Sequence, residues 1–149
     1  MGIVIHAIDK VFLAQNLSRF IDILKSEPDE YWDESNFLYE LPNKYNLSLA
    51  ACLGKELVGY IIASSKENRT SHIHKFMVDK NYRGKQIGQK LYDRFEIVAK
   101  SLLMEAVSLN VYSENERAIN FYTKNGLQID SRRKDTTSGR ELILLTKNM

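Results

Sequence analysis

Cysteine is nearly absent from this chain: Cys52 is the single thiol in 149 residues. One thiol cannot close an internal disulfide, and the apolar run LSLAACLG around Cys52 reads as a buried, inert site rather than a nucleophile. Histidine is almost as scarce, with His6, His72 and His74 in no familiar metal-ligand spacing, so no metal is expected. Proline occurs twice, at Pro28 and Pro42, and glycine seven times, which excludes collagen-like and Pro/Gly-rich low-complexity classes. No apolar run approaches the ~20 residues that a membrane-spanning helix needs. The opening MGIVIHAIDK lacks a basic segment followed by a long apolar one, so neither a secretory signal nor a membrane partner is expected, and the expected location is cytoplasmic.

What is present fits one domain over residues 1–149, a length that can bury a continuous core without disulfides or metal. Apolar residues make up 44% and charged residues 27%, the balance of a globular protein. The net charge of +2 is too small to argue for nucleic acid. Its distribution is uneven. Between Ser26 and Glu40 lie six acids (Glu27, Asp29, Glu30, Asp33, Glu34, Glu40) and no Lys or Arg, while the positive balance falls mostly in the second half.

Periodicity predicts a strand at 3 to 7 and an amphipathic helix at 10 to 25, with Val11, Ala14, Leu17, Phe20/Ile21 and Leu24 on its apolar stripe. Pro28 breaks that helix. The stretch 29 to 40 is expected to form a shorter helix before Pro42, with Trp32, Phe37 and Tyr39 in the core and the acids solvated. Runs at 47 to 53 and 56 to 64, joined by Gly54-Lys55, read as a hairpin, and a further strand follows at 72 to 78. Ile87, Leu91, Phe95 and Val98 mark a helix from 86 to 100, and 106 to 111 another strand. Ser113 and Glu116 have the Ser-x-x-Glu form of a capping box and Gly126 supplies a stop, so a helix is expected over 114 to 125. Runs at 127 to 133 and 140 to 147 flank the turn-rich KDTTSG and close the chain as a hairpin. The order β-α-α-β-β-β-α-β-α-β-β implies an α+β protein. Its sheet is mixed, because the crossover helix must join parallel neighbours and the hairpins antiparallel ones.

The loop YRGKQIGQ, residues 82 to 89, is the feature least explained by folding alone. A strand, a glycine-bearing loop and a helix start aim several unpartnered N–H groups at one point, which is an anion site. Gly84 and Gly88 let a ligand approach the backbone, and Arg83 and Lys85 add charge at the rim. The loop lacks both the Gly-Lys-Ser/Thr of a P-loop and the three glycines of a dinucleotide site.

It does resemble the pyrophosphate loop of the GCN5-related N-acetyltransferases, Gln/Arg-x-x-Gly-x-Gly/Ala after an apolar-Val pair. Arg83, Gly88 and Met77-Val78 match, and Gln86 replaces the middle glycine. A second segment, LNVYSENERAINFYTKNGLQ (109 to 128), is similar to that superfamily's other acetyl-CoA segment, with Asn110, Asn115, Ala118, Tyr122, Lys124 and Gly126 in register. The resemblance implies a three-layer α-β-α sandwich that moves an acetyl group from acetyl-CoA to an amine by direct attack in a ternary complex. It implies donor contacts from Phe76, Met77 and Val78, from Arg83, Gly84, Lys85, Gln86, Ile87, Gly88 and Gln89, and from Asn110, Asn115, Ala118, Tyr122 and Lys124. A backbone N–H near Met77-Val78 would take the thioester oxygen, and Tyr122 would give the leaving thiolate a proton.

An alkylamine with a pKa of ~10.4 costs roughly 4 to 5 kcal/mol to deprotonate at pH 7, so something must take its proton. His72 and His74, two apart on one strand face, are candidates for that base or for a water relay. An acid from 27 to 40 and bulk water are rivals. Each site residue also has a structural reading: Tyr122 as a core aromatic, Asn115 as a helix cap, the histidines as partly exposed strand residues. Because Ser113 and Glu116 can already cap their helix, Asn115 is expected to be free for a ligand. In that superfamily the segment between the first helix and the second strand commonly walls the acceptor site, so acids there suit a cationic small-molecule or peptide amine. Many of its members are dimers, which leaves a homodimer open. The alternatives are a non-catalytic acyl-CoA-binding module on the same fold and, last, a nucleic-acid binder using the basic second half.

Overall fold

The computed structural model describes residues 2–149. Seven strands, β1 (Ile3–Ala7), β2 (Leu49–Leu53), β3 (Glu56–Lys66), β4 (Thr70–Val78), β5 (Ala106–Tyr112), β6 (Gln128–Lys134) and β7 (Glu141–Asn148), make one sheet in the order β1-β2-β3-β4-β5-β7-β6. Six helices accompany it: α1 (Lys10–Gln15), α2 (Leu17–Leu24), α3 (Glu34–Leu38), α4 (Lys44–Leu47), α5 (Ile87–Ser101) and α6 (Glu116–Lys124). The sheet is mixed, as expected. β4 and β5, joined through α5, are the parallel pair, and the remaining neighbours are antiparallel. β7 inserts between β5 and β6, so the closing hairpin folds back against the strand before it.

Apolar residues cover both faces of the sheet. On one, Ile87, Leu91, Tyr92 and Phe95 of α5 pack with Val58, Ile61 and Tyr122. On the other, Phe20, Ile23 and Leu24 of α2 and Phe37 of α3 pack with Tyr60, Ile62 and Met77. Helices on two faces of one sheet give the three layers that the resemblance implies. Cys52 is buried there as expected, and its burial raises the thiol pKa.

The first half departs from the expectations. The helix over 10 to 25 is two helices, because Asn16 leaves the helical conformation (φ −112, ψ 14) and its side chain donates to the Phe12 carbonyl at 2.9 Å. The break resets the helical phase: Leu13, Phe20, Ile23 and Leu24 are buried, while Val11 is 63% exposed. The helix expected over 29 to 40 shrinks to α3, with Asp33 and Asn36 forming a reciprocal capping box. Tyr39, expected in the core, lies past the helix end and is 66% exposed. α4 has no counterpart in the expected order. Its Lys44 is buried and donates to the carbonyls of Phe37 and, at 2.9 Å, Tyr39, so an ammonium caps the end of α3.

A cleft follows from one register. β4 and β5 pair from Thr70↔Ala106 to Ile73↔Leu109 and then separate, although β4 runs on to Val78 and β5 to Tyr112. Beyond Ile73 the β5-facing edge of β4 carries backbone groups with no strand partner. On its other edge β4 holds a bulge: Ile62 pairs with Lys75 and Ala63 with Ile73, so His74 is the extra residue.

Candidate active site

The gap between β4 and β5 is a cleft of about 540 Å³. Its walls include Phe76, Met77 and Val78 of β4, Asn110 and Tyr112 of β5, Ala118, Phe121 and Tyr122 of α6, and Arg83 and Gly88 of the loop entering α5. His74 also lines it, as do Glu27, Asp29, Glu30 and Tyr31 of the link between α2 and α3.

The loop is built to turn. Asp79 accepts from the N–H of Asn81 at 2.9 Å and so starts a 3-10 turn over Lys80–Tyr82. Arg19 of α2 donates to Asp79 at 2.5 Å, which fixes the turn against the first layer. Gly84 then takes φ +80 and Gln86 φ +63. Gln86 is therefore left-handed, not helical, at the position where the resembled pattern carries glycine; a side chain there costs roughly 1 to 2 kcal/mol, which explains why glycine suits it. Among the described residues, none of the backbone N–H groups of residues 84 to 89 donates to a protein acceptor. These are the orphan donors of a helix start, held together by the turn. Gly88 adds room: a Cβ there would lie 3.8 Å from Val78 and 4.0 Å from Phe121, on the wall of the cleft.

α6 is positioned from both ends. The expected capping box does not form; Asn115 is the N-cap and accepts from the N–H of Ala118 at 3.2 Å, because the helix begins at Glu116 rather than 114. Asn115 thus caps and lines the cleft at once. At the other end Gly126 takes φ +96, and the Asn125 amide exchanges hydrogen bonds with Gln89 of α5 at 2.7 and 3.2 Å. The side chain of Gln89 therefore ties α5 to α6. Ile87 is core, Lys85 lies over the Tyr82 ring at 5.7 Å, and Lys124 is on the exposed last turn of α6; these three, together with Gly84, Gln86 and Gln89, do not line the cleft.

Tyr122 is 8% exposed. Burial, reinforced by the negative charge of Glu30, pushes its phenol well above the ordinary value near 10, so it is protonated at neutral pH. His72 and His74 lie in contact, ring centroids 4.9 Å apart. His72 is 7% exposed and so departs from the structural alternative, whereas His74 is partly exposed, as that alternative has it. Burial, then His74 and the cations Lys66 and Arg133, lowers His72 to about 3. Burial, then Lys66, Lys44 and Lys75, lowers His74 to about 4. Each ring meets a serine hydroxyl at 2.7 Å: His72 Nδ1 with Ser108 and His74 Nε2 with Ser64. His72 opens instead toward a second, more open hollow of about 780 Å³, and Asn110 lines both.

Residues 17–127 match the model of the Acetyltransferase (GNAT) family. The chain belongs to that family. An uncharacterized protein of Mycobacterium leprae is 32% identical to this GNAT chain over 122 residues, covering 77% of the chain and 31% of that relative, so the chain spans about a third of its length. The ribosomal-protein-S18-alanine N-acetyltransferase of Escherichia coli shares the fold at a TM-score of 0.84 and 16% identity, over 99% of this chain and 94% of the other. The PaiA N-acetyltransferase of Thermoplasma acidophilum, solved with coenzyme A, does so at 0.76 and 18%, over all of both chains.

The sequence reading missed Phe121, Arg117 and the β7 residue Leu142 as walls of the GNAT cleft. Phe121 had a signal: it neighbours Tyr122 and packs on Phe76, edge to face at 5.7 Å. Leu142 had none, because it reaches the cleft only through the insertion of β7 beside β5.

Proposed function

We propose that the chain is an N-acetyltransferase that takes its acyl group from acetyl-CoA and passes it to an amine in a ternary complex. The observation that carries this reading is the run of free N–H groups at residues 84 to 89, next to Arg83 and including Gly88, the two loop residues that line the same cleft as Tyr122. A cradle of that kind, with Arg83 beside it, receives the anionic oxygens of a diphosphate. The unpartnered edge of β4 suits the amide groups of the donor's arm, as an added strand would be received. The coenzyme A bound by the Thermoplasma protein supports the same assignment.

Chemically, the chain has three tasks. A backbone N–H of Met77 or Val78 on the open edge donates to the thioester oxygen as charge gathers there. Tyr122, protonated and at the cleft wall, donates to the departing thiolate. The amine must lose a proton. With a pKa of about 4, His74 is too weak a base to hold a proton taken from an ammonium, so it accepts a hydrogen bond and relays toward Ser64 and water.

Calorimetric titration with acetyl-CoA tests the donor, and release of free thiol with a panel of amines, from peptide N-termini to polyamines, tests the transfer. Absence of binding at high micromolar acetyl-CoA overturns the reading. A second reading, a non-catalytic acyl-CoA-binding module, draws on the depressed histidines, which leave the site without a strong base. Tight binding with no thiol release from any amine favours it.

A further inference from the structure

The acids between α2 and α3, expected to face a cationic acceptor, are already engaged. Glu27 pairs with Arg83, Glu30 with Lys75, and Asp29 with Arg140 at 2.9 Å. Arg140 also pairs with Glu114 at 2.8 Å and lies 3.9 Å over the Tyr112 ring. Residues 27 to 30 therefore form a strap tied on one side to β4 and the phosphate loop, and on the other to the β5 and β7 side of the cleft. Glu27, Glu30, Lys75 and Arg83 all line that cleft, so both pairs form part of its wall.

We infer that Glu27 is an internal competitor for the donor: its carboxylate holds Arg83 in the free protein, and a donor phosphate must displace it. This rests on the assignment of acetyl-CoA to the cleft. Glu27 engages the Arg83 Nη2 through one oxygen, and a phosphate draws on the same guanidinium charge, so each anion weakens the hold of the other. The phosphate prevails because the N–H groups of residues 84 to 89 also receive it, whereas among the described residues Glu27 has Arg83 alone as an ion-pair partner. Displacement releases one of the strap's ties to the cleft. Donor binding then loosens the wall that faces the acceptor and leaves the Glu27 carboxylate free for an ammonium.

The test is a double-mutant cycle read by calorimetry with CoA as the probe. Glu27→Gln keeps the shape of the side chain and removes its charge, and it is expected to bind CoA about fivefold more tightly than the wild type. Arg83→Gln is expected to bind about tenfold more weakly. In the Arg83→Gln background, Glu27→Gln is expected to change nothing, because the cation over which the two anions compete is gone. Unchanged or weaker CoA binding by Glu27→Gln overturns the inference while leaving the donor assignment standing. An equal gain from Glu27→Gln with and without Arg83 also overturns it, since the effect is then general electrostatics. Failure of all four proteins to bind CoA overturns the donor assignment and the inference with it.

Discussion

His72 and His74 meet edge to face with their ring centroids 4.9 Å apart, each capped by a serine hydroxyl at 2.7 Å. Two imidazoles so placed cannot both be charged, and burial already disfavours charging either. Their folded values of about 3 and about 4 lie below the ordinary 6.5. The unfolded chain therefore binds more protons than the folded one between those values and 6.5. The stability due to the neutral pair is complete above pH 6.5, is lost progressively as pH falls below 6.5, and is gone once pH has passed the folded values. At pH 5.5 each histidine forfeits about 1.4 kcal/mol. Urea melts at pH 7.5 and 5.5 are expected to differ by up to roughly twice that amount. The gap should shrink in His72→Asn, and an undiminished gap would place the titration elsewhere.

The same depression sets the pH dependence of turnover. Since neither histidine changes charge between pH 6 and 9, kcat/KM with a simple alkylamine is expected to climb about tenfold per pH unit, following the neutral amine. Steady-state rates across that range are the measurement. A plateau with an inflection near 6.5 would instead make a histidine the base.

Tyr122→Phe removes one oxygen from a buried ring that packs with Phe76 and Phe121. Because no hydrogen bond contributes to the shift of that phenol, the fold loses little. Turnover is expected to fall by roughly 10² to 10³ with the Kd for CoA unchanged. Parallel loss of affinity would make the hydroxyl a binding group rather than the acid.

The β half of this fold was legible because alternation and turn residues are local signals, and Gly54 sits where the hairpin needs φ +60. The two segments that carry the family resemblance were legible for the same reason: a turn and a helix start are marked by consecutive residues. What escaped depends on non-local geometry. Asn16 looks like any helical residue until its side chain caps the Phe12 carbonyl, and α4 is too short to show a period. Asn115 looked free because Ser113 offered the better cap on paper, yet the N–H of Ser113 is spent on the Glu141 carbonyl of β7. The ion pairs of Glu27 and Glu30 join residues 45 to 56 positions apart, which no sequence window contains.

Arg19 and Asp79 give a prediction about the loop. The Arg19 guanidinium also donates to the Leu57 carbonyl at 2.9 Å and to Glu56 at 3.3 Å, and Glu56 in turn accepts from Tyr82 at 2.9 Å. Although burial opposes it, the Asn81 N–H and Arg19 hold the Asp79 carboxyl below its usual range. Arg19→Gln leaves that carboxylate half-served and is expected to cost about 1 to 3 kcal/mol, since Arg19 keeps some solvent contact. Chemical denaturation measures it, and a cost below about 0.5 kcal/mol would show that the turn stands without its anchor.

Gln86 gives the sharpest prediction about the loop that enters α5. Its φ of +63 is imposed by the turn between Gly84 and α5, and its side chain makes no cap hydrogen bond that offsets the strain. Gln86→Gly removes the clash of Cβ with the backbone but gives the unfolded chain more freedom, two effects of opposite sign. Relief of roughly 1 to 2 kcal/mol matches or exceeds the entropic loss of about 0.4 to 1 kcal/mol, so a net gain of up to about 1.6 kcal/mol is expected. The N–H at residue 86 is retained, so the Kd for CoA is expected to hold or improve. A fall in both stability and affinity would mean that the glutamine side chain itself supports the loop, and that the resembled glycine is dispensable here for a reason other than backbone conformation.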